Sequence, residues 1–174
     1  MGWQVGLWIV VAVTVFWTVG AYNRLVSLRN TLVRSFDPVD QQFSARHALL
    51  DRQIDAIGAV LSNAAERLET LRAACQQTEM ARAHAKTHPG APGAITSLRL
   101  ADDILIDARA RLPVQTVGGV DMSELNAQLG ATDTALAFAR DQFNAAVREY
   151  NRAIQQIPTR LIAKIFGFEP AGPL

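Results

Sequence analysis

Residues 43–75 read FSARHALLDRQIDAIGAVLSNAAERLETLRAAC. Steps of four and three lead through Phe43, His47, Leu50, Ile54, Ile57, Leu61, Ala64, Leu68, Leu71 and Cys75. That spacing lays an apolar stripe along one side of a helix, which needs partners to cover it. Arg46, Arg52, Asp55, Glu66, Arg67 and Glu69 fall off the stripe, as a solvated face would. The same period returns in Leu125, Leu129, Thr132, Leu136, Ala139, Phe143, Val147, Tyr150, Ile154 and Ile157. A shorter segment, 95–111, offers Leu98, Ala101, Leu105 and Ala108. Runs of alternating polarity, the mark of half-buried strands, are absent. The expected fold is all-α, an antiparallel, up-and-down four-helix bundle.

Punctuation sets the turns. Residues 87–93 read THPGAPG, and Gly118-Gly119 falls within 112–120; both stretches read as loops. The first long helix has two candidate breaks. At Asp37-Pro38, Asp is suited to the N-cap and Pro to the first helical position. At Asn63, Glu66 three residues on completes a capping box. A reversal at Pro38 would send a helix of roughly 70 Å back toward an anchor only about 22 Å away. A reversal near Asn63 gives a rise of roughly 60 Å and a return of about 35 Å. The second layout is preferred, with Pro38 as a kink.

Upstream of the stripe, residues 5–21 read VGLWIVVAVTVFWTVGA, without one charge. Extended to Met1, the run is about the length that crosses a hydrocarbon core as a helix. Leu7, Trp8, Ile9, Val10, Val11, Val13, Val15, Phe16 and Trp17 carry its apolar character. Trp3, Trp17 and Tyr22 sit where interfacial aromatics belong. A signal peptide would place Lys or Arg ahead of the apolar core. Here Arg24, Arg29 and Arg34 come after it instead. The positive-inside rule then puts the N-terminus outside and the body in the cytoplasm, on a single-pass anchor in the inner membrane. The organisation is an anchor over 1–21, a helical body over 22–168 and a tail over 169–174. The same three arginines are expected to touch lipid headgroups.

If the last long helix returns to the membrane, it carries the C-terminal segment there with it. Arg160, Leu161, Ile162, Lys164, Ile165, Phe166 and Phe168 form a short basic amphipathic segment suited to a lipid surface. The alternative is a cap on the end of the core. Tyr22-Asn23 and Tyr150-Asn151 are expected to pair across the interface of the first and last helices.

Composition narrows the function. Of 174 residues, 17 are basic and 16 acidic, a balance unlike a nucleic-acid binder. One cysteine excludes an internal disulfide. Cys75 lies on the stripe as a small buried hydrophobe rather than a nucleophile. His47 reads as a core or boundary residue. His84 and His88 are four apart, but Pro89-Gly90 ends the helix there, so no metal site is expected. Asp102, Asp103 and Asp107, beside Arg99 and Arg111, read as helix-surface ion pairs rather than catalytic carboxylates. Gly118-Gly119 lacks the Lys of a phosphate loop. No catalytic group and no cofactor is expected.

Residues 22–30 read YNRLVSLRN, and 139–168 read ARDQFNAAVREYNRAIQQIPTRLIAKIFGF. With Val39-Asp40, Phe43, Arg46-His47 and Leu49-Leu50-Asp51, they resemble the LemA family of bacterial membrane-anchored helical proteins. The family's Pro after Leu-Ile is Asp51 here, and a His-Glu pair near its first turn is Asn63-Ala64. The resemblance implies a four-helix bundle on one N-terminal anchor and supplies no reaction. The expected role is a non-enzymatic scaffold or adaptor with protein partners at the membrane. A membrane-organising homo-oligomer is the alternative, and a ligand sensor a third reading that a buried polar pocket would favour.

Overall fold

The computed structural model describes residues 2–58, 65–112, 122–157 and 159–174. The described residues are all-α, in six helices. These are α1 (Gly2–Ser35), α2 (Asp37–Gly58), α3 (Ala65–Thr87), α4 (Pro92–Ala110), α5 (Ser123–Gln155) and α6 (Thr159–Phe166). The Asn63 break and the loop over 113–120 lie outside the described residues.

α1 is rich in Val, a residue that in water favours strands. In hydrocarbon the helix is favoured, because it satisfies every backbone group internally. The two threonines in its apolar half turn inward as well: Thr14 Oγ1 donates to Val10 O and Thr18 Oγ1 to Thr14 O, both at 2.8 Å. One residue, Phe36, separates α1 from α2. Pro38 has no N–H for the carbonyl of residue 34, so the ladder is interrupted. Phe36 N–H donates to Val33 O at 3.2 Å, and Asp40 N–H to Phe36 O at 2.9 Å. The Phe36 side chain is buried edge-to-face on Phe143, centroids 5.6 Å apart, which fixes the bend.

The chain does not reverse there. α1 and α2 both pack along α5, the longest of the remaining helices. Asp40 near the start of α2 pairs with Arg82 and Lys86 near the end of α3, so α2 and α3 run antiparallel. α3 packs on α4. The turn between them is shorter than 87–93, because Pro92 already occupies the first turn of α4. α5 runs opposite to α2: Gln53 meets Asn126, and Phe36 meets Phe143.

The core has two apolar parts. One gathers Leu25, Leu32, Phe36, Phe43, Leu98, Phe143 and Val147 toward the apolar half of α1. The other gathers Leu50, Ile54, Leu71, Cys75, Leu105 and Leu129 at the far end. Buried charges lie between them.

Candidate functional site

The end that carries the apolar half of α1 comes first. Among the described residues, one helix is long and apolar enough to cross a membrane, by length and composition. Leu7, Trp8, Ile9, Val10, Val11, Val13, Val15, Phe16 and Trp17 all lie exposed on α1, Trp17 at the edge of the body. Arg24, Arg29 and Arg34 are exposed below. α6 docks on α1 at the boundary between these two regions. Trp17, Gly20, Ala21 and Arg24 share a crevice with Gln156, Ile157 and Thr159. The Tyr22 ring sits 4.9 Å from that of Phe166 and 5.9 Å from that of Phe168.

The two faces of α6 have different roles. Thr159, Ile162 and Ala163 are buried against α1 and α5. Ile162 is therefore a core residue rather than part of a surface-seeking face. Arg160, Leu161, Lys164, Ile165 and Phe166 stay exposed, Ile165 at 74 % and Ile157 just before them at 81 %. α6 ends in a Schellman-type cap: Gly167 adopts φ +69°, and Phe168 N–H donates to Ala163 O at 2.9 Å.

The tail then folds back. Asn151 Nδ2 donates to Ala171 O and its Oδ1 accepts from Ala171 N–H, both at 2.8 Å. One heptad earlier, Asn144 holds Leu174 through the same pair of bonds at 2.8 Å. Tyr150 Oη donates to Glu169 O at 3.1 Å. These side chains clamp main chain, in place of the expected pairing with Tyr22-Asn23. The tail backbone passes so close to α4 that a Cβ on Gly172 would meet Pro92 Cα at 2.7 Å.

The buried charges form the second feature. Asp102 is 0 % exposed, not on the helix surface; its carboxylate bridges Arg46 of α2 and Arg140 of α5. Arg46 is 4 % exposed, not on a solvated face. Both guanidiniums lie over the Phe43 ring, at 5.0 and 5.4 Å from its centroid. Asp133 accepts from Arg109 at 2.6 Å and stands 3.5 Å from Arg46 Nη1. Burial pulls the Arg46 guanidinium down to about 10, and it lowers Arg140 as well. Of the expected surface pairs, Asp107–Arg111 forms at 2.5 Å on an exposed face.

Sequence spacing carries a signal for this layer. Arg46 is three residues after Phe43 and four before Leu50. Asp102 stands likewise between Leu98 and Leu105, Arg140 between Leu136 and Phe143, and Asp133 between Leu129 and Leu136. Each charge occupies a stripe position.

The remaining candidates are quiet. Cys75 is buried, and burial pushes its thiol up to about 11. His47 is half-buried, 3.5 Å from Asp51. His84 and His88 stack with ring centroids 5.0 Å apart. Among the described residues, no three His, Cys, Asp or Glu side chains gather as metal ligands.

An all-helical body on an exposed apolar helix fits the class of membrane-associated proteins. The chain belongs to the LemA family, whose model matches residues 35–173. The match takes in α2 to α6 and the clamped tail; the apolar helix and residues 22–30 precede it. No curated protein and no solved structure matches the chain.

Proposed function

We propose that this protein is a non-enzymatic scaffold or adaptor on the cytoplasmic face of a bacterial inner membrane. It spans the bilayer once, N-terminus outside, and its body is an up-and-down four-helix bundle whose first member is the kinked α1–α2 pair. The observation that supports the membrane seating in this reading is the placement of α6. α6, which carries the exposed Leu161 and Ile165 with Arg160 and Lys164, docks on α1 where its apolar half gives way to Arg24. Apolar side chains there enter the acyl boundary while the cations meet anionic headgroups. The body is thus held at the lipid surface at two points.

Partner binding is supported by apolar side chains left on the flanks: Leu100 and Ile104 one turn apart on α4, and Phe138 on α5. The test is photo-crosslinking in intact cells, with benzoyl-phenylalanine at position 104 or 138. A discrete protein adduct at these positions, absent with the same group at Arg52, is the expected result. Adducts equal at all three, or none at 104 and 138, would contradict the adaptor role. Cysteine labelling from outside the cell tests orientation: a thiol at Gln4 reacts and one at Gln77 does not.

The membrane-organising alternative draws on the same α6 surface. It is separated by reconstitution, since it requires vesicle deformation or clustering by this protein alone.

A further inference from the structure

α3 leads into α4 as a packed pair, but α4 and α5 stand apart. Among the described residues no Cα of one comes within 8 Å of a Cα of the other. Side chains alone bridge them: Asp102 to Arg140 and Arg109 to Asp133. Between these bridges a cleft of about 500 Å³ opens, floored by Arg46 and Gln53 of α2. A cleft of this size falls in the range of small-molecule sites.

Its polar lining is incompletely used. Gln53 is 5 % exposed; its Nε2 donates to Asn126 Oδ1 at 3.2 Å, and its Oε1 has no hydrogen-bond partner in the protein. Asp133 Oδ1 and Arg140 Nε are buried and make no hydrogen bond, and Asp133 Oδ1 stands in an ion pair with Arg46 Nη1 at 3.5 Å. All three residues line this same cleft. Buried polar atoms are rarely left so, because each costs the desolvation of an unmade bond. Two of these atoms are acceptors and one is a donor. A simple anion would meet Arg140 but face the Asp133 oxygen. A simple amine would meet Asp133 and Gln53 but leave Arg140 Nε unmade. Of the charged residues in the lining, three are arginines, Arg46, Arg109 and Arg140, and one is Asp133; Asp102, outside the lining, pairs with Arg46 and Arg140. The apolar lining is Ile106, Ala110, Leu112, Leu136 and Ala137.

We propose that this cleft binds a small zwitterion with an aliphatic side chain. Its ammonium lies on Gln53 Oε1 and shares Asp133 Oδ1 with Arg46, its carboxylate lies on Arg140, and its side chain on the α4–α5 aliphatics. That chemistry belongs to a free aliphatic amino acid or to a dipeptide. The inference goes beyond the scaffold reading and does not depend on it.

The test is calorimetry and thermal unfolding of the full chain in detergent. The probes are leucine, glycyl-leucine, 4-methylpentanoate (no amine) and isopentylamine (no carboxylate). Saturable binding is expected for leucine or glycyl-leucine, and the stronger of the two names the source. The melting temperature should rise on the order of 5 °C at about 100 times Kd. Each half-molecule should bind about tenfold more weakly or worse, having lost a charge-assisted bond. Gln53→Leu should weaken binding about tenfold. Ala137→Trp is the fold-safe variant, because Ala137 is exposed at the cleft wall; it should abolish binding with an unchanged helical spectrum. No binding of either zwitterion, a half-molecule that binds as well, or full binding by Ala137→Trp would overturn the proposal.

Discussion

Replacing Asp102 by Ala removes the carboxylate that holds α2, α4 and α5 together. Asp102 is wholly buried and pairs with both Arg46 and Arg140. Arg140 keeps a quarter of its side chain in solvent, but Arg46 keeps 5 %. The next carboxylate, Asp133, is 3.5 Å from Arg46 and already committed to Arg109. Arg46 would then be a buried cation with a poor partner. Breaking a buried pair from one side costs about 3–5 kcal/mol. For a chain of this size that lowers the melting temperature by about 6–20 °C. Circular dichroism at the helix band, on the full chain in detergent, reads it directly. The companion variant Arg46→Met with Asp102→Leu removes both charges at the core and lets Arg140 turn to water. It should unfold within about 1 kcal/mol of the parent, because apolar replacement of a buried pair is close to neutral. A single-variant loss below about 1 kcal/mol, the value of a surface pair, would refute the reasoning.

Three more outcomes are expected from the same structure. Asn151→Ala deletes both 2.8 Å bonds to Ala171 and should cost about 1–3 kcal/mol while raising amide exchange across 169–174; unchanged exchange there counts against the clamp. Gly167→Ala places a Cβ in the left-handed region and should cost about 1–2 kcal/mol, read from denaturant midpoints. Cys75 has its thiol raised from 9.0 to about 11 by burial and by nearby Asp51, so the folded state keeps a proton that the unfolded chain loses. Its contribution is intact below pH 9 and is lost as pH rises to 11. The stability difference between the parent and Cys75→Ala should therefore shrink across that window, and a constant difference would contradict the burial.

Much of the fold is legible because helical packing writes a period into the chain. The stripes through Phe43–Leu50–Ile57 and Leu129–Leu136–Phe143 are the core as found. Helix lengths also separate a kink at Pro38 from a reversal there. The polar layer escapes a reading of the sequence for a physical reason. A charge is read as solvated by default, since burying it alone is costly. Arg46, Asp102 and Arg140 are inside because they meet from three helices, and only the tertiary structure brings them together. Their three-and-four spacing to flanking leucines and phenylalanines is the available clue. Asn144 and Asn151 stand beside the stripes as structural residues, yet their partners are main-chain groups of an irregular tail, which no periodicity marks. α6 is legible as amphipathic, but which of its apolar residues face the core depends on how α1 and α5 receive it.

The seating of the body on the lipid surface is tested most directly by a depth profile. Nitroxides at Ile9, Ile165 and Arg52, each in a Cys75→Ala background of the full chain in vesicles, report access to oxygen and to a water-soluble nickel chelate. Oxygen access should dominate at Ile9 and prevail at Ile165, with the chelate prevailing at Arg52. A label at Ile165 as open to the chelate as one at Arg52 would contradict a lipid-seated α6.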